Sequence, residues 1–524
     1  MPTKCRPGAN PLAHPVEEFG LRQKVNMEIP SECSWDDVAF KKQFLVSPAN
    51  FAHPAIEGWL LTNVTRAHVL WSHPALSISS AQRDGLALHG LGVFLDPRNP
   101  FRDEHAILRD LLRGANTFAQ LESLIAELAG RWVLIAVKND QARIYHDAAG
   151  LKPIFFTHRN SSDLYVASQP SLLCAVGVVG RNEDVAREFE LHDNSGSWPI
   201  GKVPYHSTTQ VLPNHYLDLV NVSVQRYWPA KEFEKKTLGE AAEEMLPMLR
   251  GIISAAHSRN KLAMNLTGGY DSRLVLAAAQ PLWGEIQFST TIRADSPHHD
   301  ISIPRKLKAQ FSLNHRFITP AKIDLGSTIT NEELVRRLMP NVGGMFYDPA
   351  IQGTKAAWLA VGKKLALPGL VSEVMRCFYY SGGVHPESLT GEDLAKRAGF
   401  KGNPIAEDGF NEWLASVPAD LPIHALDLLY WEHRLGVWAS CSLTFREALM
   451  EQIPPMNCRK FLEIGLATDV DDRKAPYALM RELIKQAEPK LLSIDFNQDW
   501  VDRWGWEIRR LPLPWKLKRR LRWV

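Results

Sequence analysis

The hydrophobic pattern of the chain changes from short apolar runs in its first half to alternating strands and helices in its second half. Between residues 58 and 219, the short apolar runs are rich in β-branched and aromatic side chains and are separated by turn residues, which predicts a mainly β region. One helical stretch, residues 104–128, interrupts these runs. From residue 238 onward, apolar positions at a spacing of three and four alternate with short buried runs, which predicts a parallel α/β sheet.

The most informative run is residues 261–280, where an apolar strand leads through a Thr-Gly-Gly corner into an alanine-rich helix start. Two glycines let backbone amides and the helix dipole come close to an anion, for which phosphate is the natural choice. Thr267 and Ser272 add hydroxyl groups, and Asp271 adds a hard oxygen that suits Mg²⁺. The spacing matches neither the Walker A loop nor the dinucleotide fingerprint. An ordinary turn with two glycines is the alternative interpretation.

Residues 267–272, Thr-Gly-Gly-Tyr-Asp-Ser, resemble the Ser-Gly-Gly-x-Asp-Ser pyrophosphate loop of ATP pyrophosphatases, and specifically that of the asparagine synthetase family. The threonine keeps the hydroxyl group of the first serine. The resemblance implies ATP and Mg²⁺ as cofactors. The residues that it predicts at the ATP and its pyrophosphate are Thr267, Gly268, Gly269, Tyr270, Asp271, Ser272, Arg273 and, on the next strand, Ser289.

Length and composition agree with a globular protein of two or three domains. The 524 residues are 45% hydrophobic and 23% charged, and the net charge of +2 gives no global argument for nucleic acid binding. The six cysteines show no Cys-x-x-Cys spacing, which suits reduced thiols in the cytoplasm. The sequence shows neither a signal peptide nor an apolar run of membrane-spanning length, so we expect a cytoplasmic protein without a transmembrane segment.

Three segments of the β-rich region resemble the glutaminase half of asparagine synthetases. Residues 147–156 are similar to the family's Asp-x-x-Gly-x-x-Pro hairpin, residues 166–173 to its Phe-Ala-Ser-Glu segment, and residues 211–218 to the strand pair that closes the domain. The resemblance implies an antiparallel domain of the Ntn-hydrolase type, similar to class II glutamine amidotransferases. Such a glutaminase uses an N-terminal cysteine, whereas this chain begins Met1-Pro2. We therefore expect no glutamine hydrolysis unless processing exposes a cysteine near the N-terminus, which would be Cys5 or Cys33.

A second loop is predicted beside the glycine corner. Residues 365–380 stand where the family carries Gly-x-Gly-Ala-Asp-Glu, whose acid holds Mg²⁺ and whose backbone meets the pyrophosphate. Glu373 keeps the glutamate but Ser372 replaces the aspartate, so the expected metal ligands are Asp271 and Glu373. Arg376 is a candidate phosphate clamp, with a surface ion pair as the alternative.

The helical segment 424–494 adds further candidates. Glu432 and Arg434 are predicted to face the acceptor site. Tyr477 occupies the position of a lysine that, in amide-forming relatives, helps to stabilise the adenylation transition state. That task would pass to Arg473 or Lys474, or be lost. The catalytic residues predicted in this way are Glu373, Arg376, Glu432 and Lys474. The run His298-His299-Asp300 is interpreted as a solvated turn, because adjacent side chains cannot all face one metal ion.

Four segments are predicted along the chain. They are an irregular extension at residues 1–57, the amidotransferase-like domain at 58–225, a ligase domain at 238–495 and a basic, tryptophan-rich tail at 496–524. The ligase domain is expected to contain a parallel α/β sheet of the adenine-nucleotide α-hydrolase type and a helical C-terminal part. The tail is expected to dock on its own domain, with peripheral contact to an anionic surface as the alternative. A homodimer is a further expectation.

The resemblance implies an ATP-dependent, amide-forming ligase. A small-molecule or peptide carboxylate would be activated as an acyl-adenylate, and an amine donor, either ammonia or a substrate amine, would then displace AMP. A catalytically silent homologue that acts as a binding partner is the alternative, because Ser372 and Tyr477 depart from the family pattern. A different adenylating reaction, such as thiolation of RNA, is disfavoured by the near-neutral charge.

Overall fold

The computed structural model describes residues 38–157, 163–192, 197–229, 232–292, 296, 298–319, 331–343, 361–380, 388–474 and 477–497, all within one compact unit, Ser34–Val524. The strands are β1 (Phe44–Pro48), β2 (Leu60–Asn63), β3 (His68–Ser72), β4 (Ile78–Arg83), β5 (Leu86–Leu95), β6 (Ala129–Lys138), β7 (Gln141–His146), β8 (Ile154–Thr157), β9 (Val166–Ala167), β10 (Thr208–Val211), β11 (His215–Asp218), β12 (Ser223–Arg226), β13 (Leu262–Asn265), β14 (Gln287–Thr291), β15 (His315–Ile318) and β16 (Leu365–Ala366).

The helices divide between the two halves of the chain. They are α1 (Glu104–Gly114), α2 (Phe118–Ile125), α3 (Pro170–Ala175), α4 (Glu183–His192), α5 (Leu238–His257), α6 (Tyr270–Ala278), α7 (His298–Phe311), α8 (Asn331–Leu338), α9 (Gly391–Ala398), α10 (Pro404–Ser416), α11 (Ala425–Leu429), α12 (Ser440–Glu447), α13 (Arg459–Leu466), α14 (Val470–Lys474) and α15 (Ala478–Ala487). A π-helix, Tyr430–Ala439, joins α11 to α12, and one 3₁₀ turn, Ser372–Arg376, matters for the site below.

The N-terminal half is a sandwich of two antiparallel sheets. Their strand orders are β10-β8-β9-β1-β3-β2 and β12-β11-β7-β6-β5-β4. Inward-facing residues of both sheets, such as Val46 of β1 and Val133 of β6, share one apolar core. Helices α1 and α2 cover the outer face of the second sheet, and α3 packs on the outer face of the first. This layered arrangement confirms the predicted antiparallel sheet domain.

Two details of this half differ from the sequence pattern. Strand β1 lies inside the range for which the sequence predicts an irregular extension, and it pairs with both β3 and β9 in the middle of its sheet. The predicted single helix at residues 104–128 is two helices. Thr117 starts the second one with a reciprocal capping box, in which its hydroxyl accepts from the Gln120 amide and the Gln120 side chain accepts from the Thr117 amide.

The C-terminal half contains a four-stranded parallel sheet in the order β15-β14-β13-β16. Helix α5 precedes it and begins at a capping box between Thr237 and Glu240. Helices α5, α6, α7 and α15 pack their apolar faces into the core that surrounds the sheet. The predicted parallel α/β domain with a helical C-terminal part is therefore confirmed.

Buried polar contacts join the two halves. The indole of Trp431 donates to the Ala148 carbonyl oxygen at 2.7 Å, and the Asn457 amide donates to the Asp147 carboxylate at 2.8 Å. Lys152 pairs with Glu447 at 2.9 Å with both side chains almost fully buried. The sheet sandwich thus supports the π-helix and α12 of the C-terminal half.

No helix among the described residues is long and apolar enough to cross a membrane. Cys5, Cys33 and residues 498–524 of the basic tail lie outside the described residues, so the predictions about them stay predictions. The predicted domain boundaries stay predictions as well.

Candidate functional site

The glycine corner lies at the carboxyl edge of the parallel sheet. Strand β13 pairs with β14 on one side and β16 on the other, and its last residue, Asn265, leads through Leu266 into the corner. Gly269 is the N-cap of α6, and it has extended backbone angles. The order strand, corner and helix predicted from sequence is therefore present, at the edge where open parallel sheets bind their ligands.

Hydroxyl groups fix the shape of the corner. The Thr267 and Ser272 hydroxyls lie 3.1 Å apart, and the Ser272 hydroxyl also accepts from the Thr267 amide at 3.3 Å. The Gly269 amide donates to the Thr267 hydroxyl at 3.2 Å. The two hydroxyls thus hold the loop and the first turn of α6 together. Ser289 lies beside the corner on β14, in register with Asn265, and its carbonyl accepts from the Leu266 amide.

An acid that the sequence interpretation placed in a solvated turn lies on the corner. Asp300, in the first turn of α7, accepts from the Gly268 amide at 3.1 Å. A Cβ at Gly268 would lie 3.0 Å from the Ile303 side chain and 3.1 Å from Asp300, so a larger residue would crowd this approach. The interpretation is corrected for Asp300: its carboxylate occupies a backbone donor of the type that binds phosphate. The signal in the sequence was an acid at the start of the helix that follows the neighbouring strand.

The second predicted loop lies against the first turn of α6. Because β16 runs parallel to β13, its carboxyl end reaches the same edge of the sheet. Gly369 then passes so close to α6 that a Cβ on it would lie 2.6 Å from the Asp271 carbonyl carbon and 2.6 Å from the Ser272 nitrogen. This contact delivers the turn Ser372–Arg376 to the glycine corner.

We expect Gly369→Ala to destabilise the fold by about 2 kcal/mol, because the methyl group meets backbone atoms that cannot rotate away. Urea unfolding would measure this loss. Gly284→Ala is the matched control, since a Cβ there has no neighbour within 4 Å. Equal stabilities of the two variants would contradict the close approach of the second loop.

Two acids and one arginine meet where the loops touch. Arg376 lies between the carboxylates, 3.6 Å from Asp271 and 3.4 Å from Glu373. The Ser372 hydroxyl donates to the Asp271 carboxylate. One Glu373 oxygen, Oε2, is buried and has no hydrogen-bond partner. The structure therefore brings together Asp271, Glu373 and Arg376, as the resemblance implied, although about a hundred residues separate Asp271 from the other two.

Burial, and then the negative charge of Asp271, raises the pKa of Glu373 to about 7. In the unfolded chain the pKa of this group is near its ordinary value of 4.5. The folded protein therefore binds the extra proton between these two values, and the stability contributed by Glu373 falls as the pH rises through that window.

Glu373→Gln removes this penalty without changing the size of the side chain. We expect the free energy of unfolding of the variant to exceed that of the parent by up to about 3 kcal/mol at about pH 8, with the gap closing toward pH 4.5. Denaturant unfolding at a series of pH values would measure the gap. Glu412→Gln, at an acid whose side chain is 67% exposed, is the control. A gap that does not depend on pH would contradict the raised pKa.

The acids fit a magnesium site. Mg²⁺ is commonly bound by one or two carboxylates, with phosphate oxygens and water filling the other positions. Asp271 and Glu373 supply two carboxylates at the predicted phosphate loop, and Glu373 Oε2 lacks a partner. Within the part of the chain that the structure describes, no group of three or more acids, histidines or cysteines could form a metal site by itself. Phosphate oxygens and water would fill the remaining positions around such an ion.

Two predicted nucleotide contacts point elsewhere. The ring of Tyr270 is stacked between Tyr477 and Phe496, at centroid distances of 4.2 and 3.7 Å, and is 1% exposed. Arg273 is also 1% exposed and donates to the carbonyls of Leu491 and Ile494. The structure thus directs these two side chains away from the corner, and pyrophosphate binding by Tyr270 and Arg273 stays a prediction. They attach the C-terminal segment to α6 because both lie on its buried side.

Glu432 is likewise not at the corner. It is fully buried on the π-helix and accepts from Asn214 at 2.9 Å, Arg226 at 3.0 Å and Trp413 at 2.7 Å. These hydrogen-bond partners belong to the sheet sandwich and α10, so Glu432 joins the two halves. Its catalytic role stays a prediction.

Arg473 and Lys474, the two candidates for the role of the lysine that Tyr477 replaces, each pair with an aspartate. Lys474 pairs with the exposed Asp471 at 3.1 Å, and Arg473 pairs with the buried Asp427 at 3.0 Å. The guanidinium of Arg376 lies 5.1 Å from the ring of Tyr477, the residue at the lysine position. The role of Lys474 as the substitute stays a prediction.

The chain is weakly similar to several solved enzymes. The match to a structure of NMN synthetase from Francisella tularensis covers 38% of this chain and 94% of the synthetase chain, at 14% identity and a TM-score of 0.21. The match to the glutamine PRPP amidotransferase from B. subtilis, complexed with ADP and GMP, covers 63% of this chain and 69% of the amidotransferase chain, at 12% identity and a TM-score of 0.24. The allosteric regulatory enzyme of purine biosynthesis covers 57% and 82% at 9% identity, also with a TM-score of 0.24. No family model matches the chain, and no curated protein matches it.

Proposed function

We propose that the protein is an ATP-dependent ligase that activates a carboxylate as an acyl-adenylate and transfers the acyl group to an amine. The observation that carries this proposal is the meeting of the glycine corner with Asp271, Glu373 and Arg376 at the carboxyl edge of the parallel sheet. An anion-binding helix start and a pair of acids with one cation are together suited to a metal-bound pyrophosphate.

The reaction would proceed in two steps. A carboxylate oxygen of the acid attacks the α-phosphorus of ATP, and the bond from that phosphorus to the bridging oxygen breaks, so that pyrophosphate leaves with the electron pair. The amine nitrogen then attacks the acyl carbon, AMP leaves, and the nitrogen loses a proton. The first step places new negative charge on the pyrophosphate.

The residues of the corner would stabilise this charge. Arg376 is 17% exposed and is held by two carboxylates, so its guanidinium is positioned before a ligand arrives. The amides at the start of α6 would contribute the positive end of the helix dipole. Asp271 and Glu373 would hold Mg²⁺, which neutralises charge on phosphate oxygens when it is bound.

Binding and exchange experiments test the proposal. Isothermal titration of the full chain with Mg-ATP should give a binding signal, and a panel of carboxylic acids should include one that supports ATP–pyrophosphate exchange. Binding of ATP without exchange for any acid would exclude the first chemical step. Exchange that occurs but is not followed by amide formation with any amine would exclude the second.

One observation favours a second candidate, a catalytically silent homologue that acts as a binding partner. The Gly268 amide already donates to Asp300, and Asp271 already accepts from Ser372, so some groups expected to meet the nucleotide are satisfied within the chain. This candidate predicts that Mg-ATP gives no signal in the same titration. In that case Asp300→Asn would not bind Mg-ATP either. In a ligase, Asp300→Asn should bind Mg-ATP as tightly as the parent or more tightly, because the carboxylate that competes with phosphate for the Gly268 amide loses its charge.

A further inference from the structure

Three aromatic rings lie together near the acid and arginine cluster: Phe378 and Tyr379 follow Arg376 in the chain, and Tyr430 begins the π-helix. Phe378 is 56% exposed, which is unusual for a large apolar side chain in this molecule. Its ring centroid lies 4.9 Å from that of Tyr430 and 5.3 Å from that of Tyr379, and the two tyrosine rings are 5.6 Å apart. We call this set, Phe378, Tyr379 and Tyr430, the aromatic wall. It offers an open ring face that the fold itself does not cover with described residues.

Two rings of the aromatic wall follow the acid and arginine cluster closely in the chain. Phe378 follows Arg376 by two residues in the chain. Burial raises the pKa of Tyr430, and the next contribution is the negative charge of Glu373, which places that carboxylate close to the phenol. The hydroxyl of Tyr430 makes no hydrogen bond to a described residue. A ligand bound at the acid pair and extending away from it could therefore contact the aromatic wall.

An arginine, Arg434, lies on the same π-helix as Tyr430. It follows Tyr430 by four residues, and its guanidinium stacks on the ring of Trp438 at 3.9 Å. Its positive charge acts on both Tyr379 and Tyr430, in the direction that lowers their pKa values, so it lies near the wall. No acid among the described residues pairs with it, and it makes no hydrogen bond to them.

Arg434 differs in this respect from the other arginines of the region. Arg376 pairs with Asp271 and Glu373, and Arg473 pairs with Asp427. Stacking on an indole holds a guanidinium plane in place and leaves its edge free for a bidentate contact with an anion.

We propose that the aromatic wall and Arg434 bind the acid substrate, and that this substrate is an aromatic dicarboxylate. One carboxylate would face the α-phosphate of ATP for activation, the ring would stack on Phe378 and Tyr430, and the second carboxylate would pair with Arg434. A monocarboxylate would leave Arg434 without an anion, and a small polar acid would leave the exposed ring uncovered. This inference rests on the proposed function for the identity of the reacting carboxylate, but the binding site can be tested without ATP.

Isothermal titration with two matched acids tests the site in the full chain. The probes are 3-(4-carboxyphenyl)propanoate and 3-phenylpropanoate, which differ by the second carboxylate. We expect the diacid to bind at least about tenfold more tightly, in line with a charged hydrogen-bonded pair. Arg434→Gln should remove this difference and leave the affinity for the monoacid unchanged. Phe378→Ala should weaken both acids by a similar factor.

Matched controls separate this site from general charge and folding effects. Arg109→Gln, at an exposed arginine on α1, should leave both affinities unchanged. Each variant should melt cooperatively at the temperature of the parent within a few degrees. Octanedioate, a diacid of similar length without a ring, should bind more weakly than the aromatic diacid, and equal binding would remove the aromatic requirement.

The outcomes distinguish this proposal from the proposed function. Equal affinities for the two aromatic acids, no binding of either, or an undiminished preference in Arg434→Gln would each overturn the diacid site. A diacid preference in a protein that does not bind Mg-ATP would keep the site and overturn the ligase. Mg-ATP binding without a diacid preference would keep the nucleotide site and overturn this inference alone.

Discussion

Replacing Asp271 by asparagine should reduce ATP–pyrophosphate exchange at least about a hundredfold while leaving the folded protein as stable as the parent. The loss in exchange follows because this carboxylate is one of the two that lie beside Arg376, and charge stabilisation of this kind contributes several kcal/mol to a transition state. Mg-ATP affinity should fall as well, by about tenfold.

The stability should hardly change because two effects oppose each other. The variant loses the contact of Asp271 with Arg376 at 3.6 Å. It also loses the repulsion of Asp271 against the buried Glu373, whose pKa should fall toward its ordinary value. Calorimetric titration, exchange assays and denaturant unfolding measure the three quantities on one preparation.

Asp472→Asn is the control for this experiment, because Asp472 is an exposed aspartate on α14. It should leave exchange and stability unchanged. Parent-like exchange in Asp271→Asn would remove Asp271 from the nucleotide site. A large loss of stability together with a loss of exchange would show a structural role for this carboxylate instead.

Glu432→Gln should have the largest effect on stability, a loss of about 3–5 kcal/mol. The carboxylate is fully buried and receives hydrogen bonds from Arg226, Asn214 and Trp413. Removing its charge leaves the guanidinium of Arg226, which is 12% exposed, without its counter-ion in a place that water hardly reaches. Urea unfolding followed by tryptophan fluorescence would measure the loss.

The exposed pair between Lys202 and Glu412 provides the matched control. Its side chains are 33% and 67% exposed, so Glu412→Gln should cost no more than about 1 kcal/mol. At a temperature where both proteins are folded, the rate of ATP–pyrophosphate exchange per molecule of Glu432→Gln should equal that of the parent. A stable variant that has lost exchange would support the catalytic role predicted from the sequence.

Local patterns predicted the elements well where neighbouring residues decide them. The Thr-Gly-Gly corner and the helix after it depend on short-range geometry, and the capping pair Thr237 and Glu240 marks the start of α5 in the same way. Strand β1 escaped the pattern because its apolar run is short and ends at Pro48, and pairing with β3 and β9 decides its conformation. The break between α1 and α2 was visible only as the threonine and glutamine of a capping box.

Side-chain roles were harder to predict because they depend on which face of an element is covered. Arg273 and Tyr270 belong to the glycine corner by sequence, but the C-terminal segment packs on that side of α6 and buries them. Asp300 looked solvated, yet the parallel arrangement of β13 and β14 brings the start of α7 over Gly268. In each case an element distant in the chain supplies the contact.

The sequence by itself determined that a strand, a glycine corner with hydroxyls and an acid, and a helix follow one another in a parallel α/β half, behind an antiparallel half. These features follow from backbone conformation and apolar spacing, which are local properties. Only the tertiary structure decided that Glu373 and Arg376 join Asp271 and that Glu432 does not. The physical reason is that the pairing of β16 with β13 brings the turn that carries Glu373 and Arg376 to the edge where Asp271 lies. Glu432 is instead buried against Arg226 of the sheet sandwich.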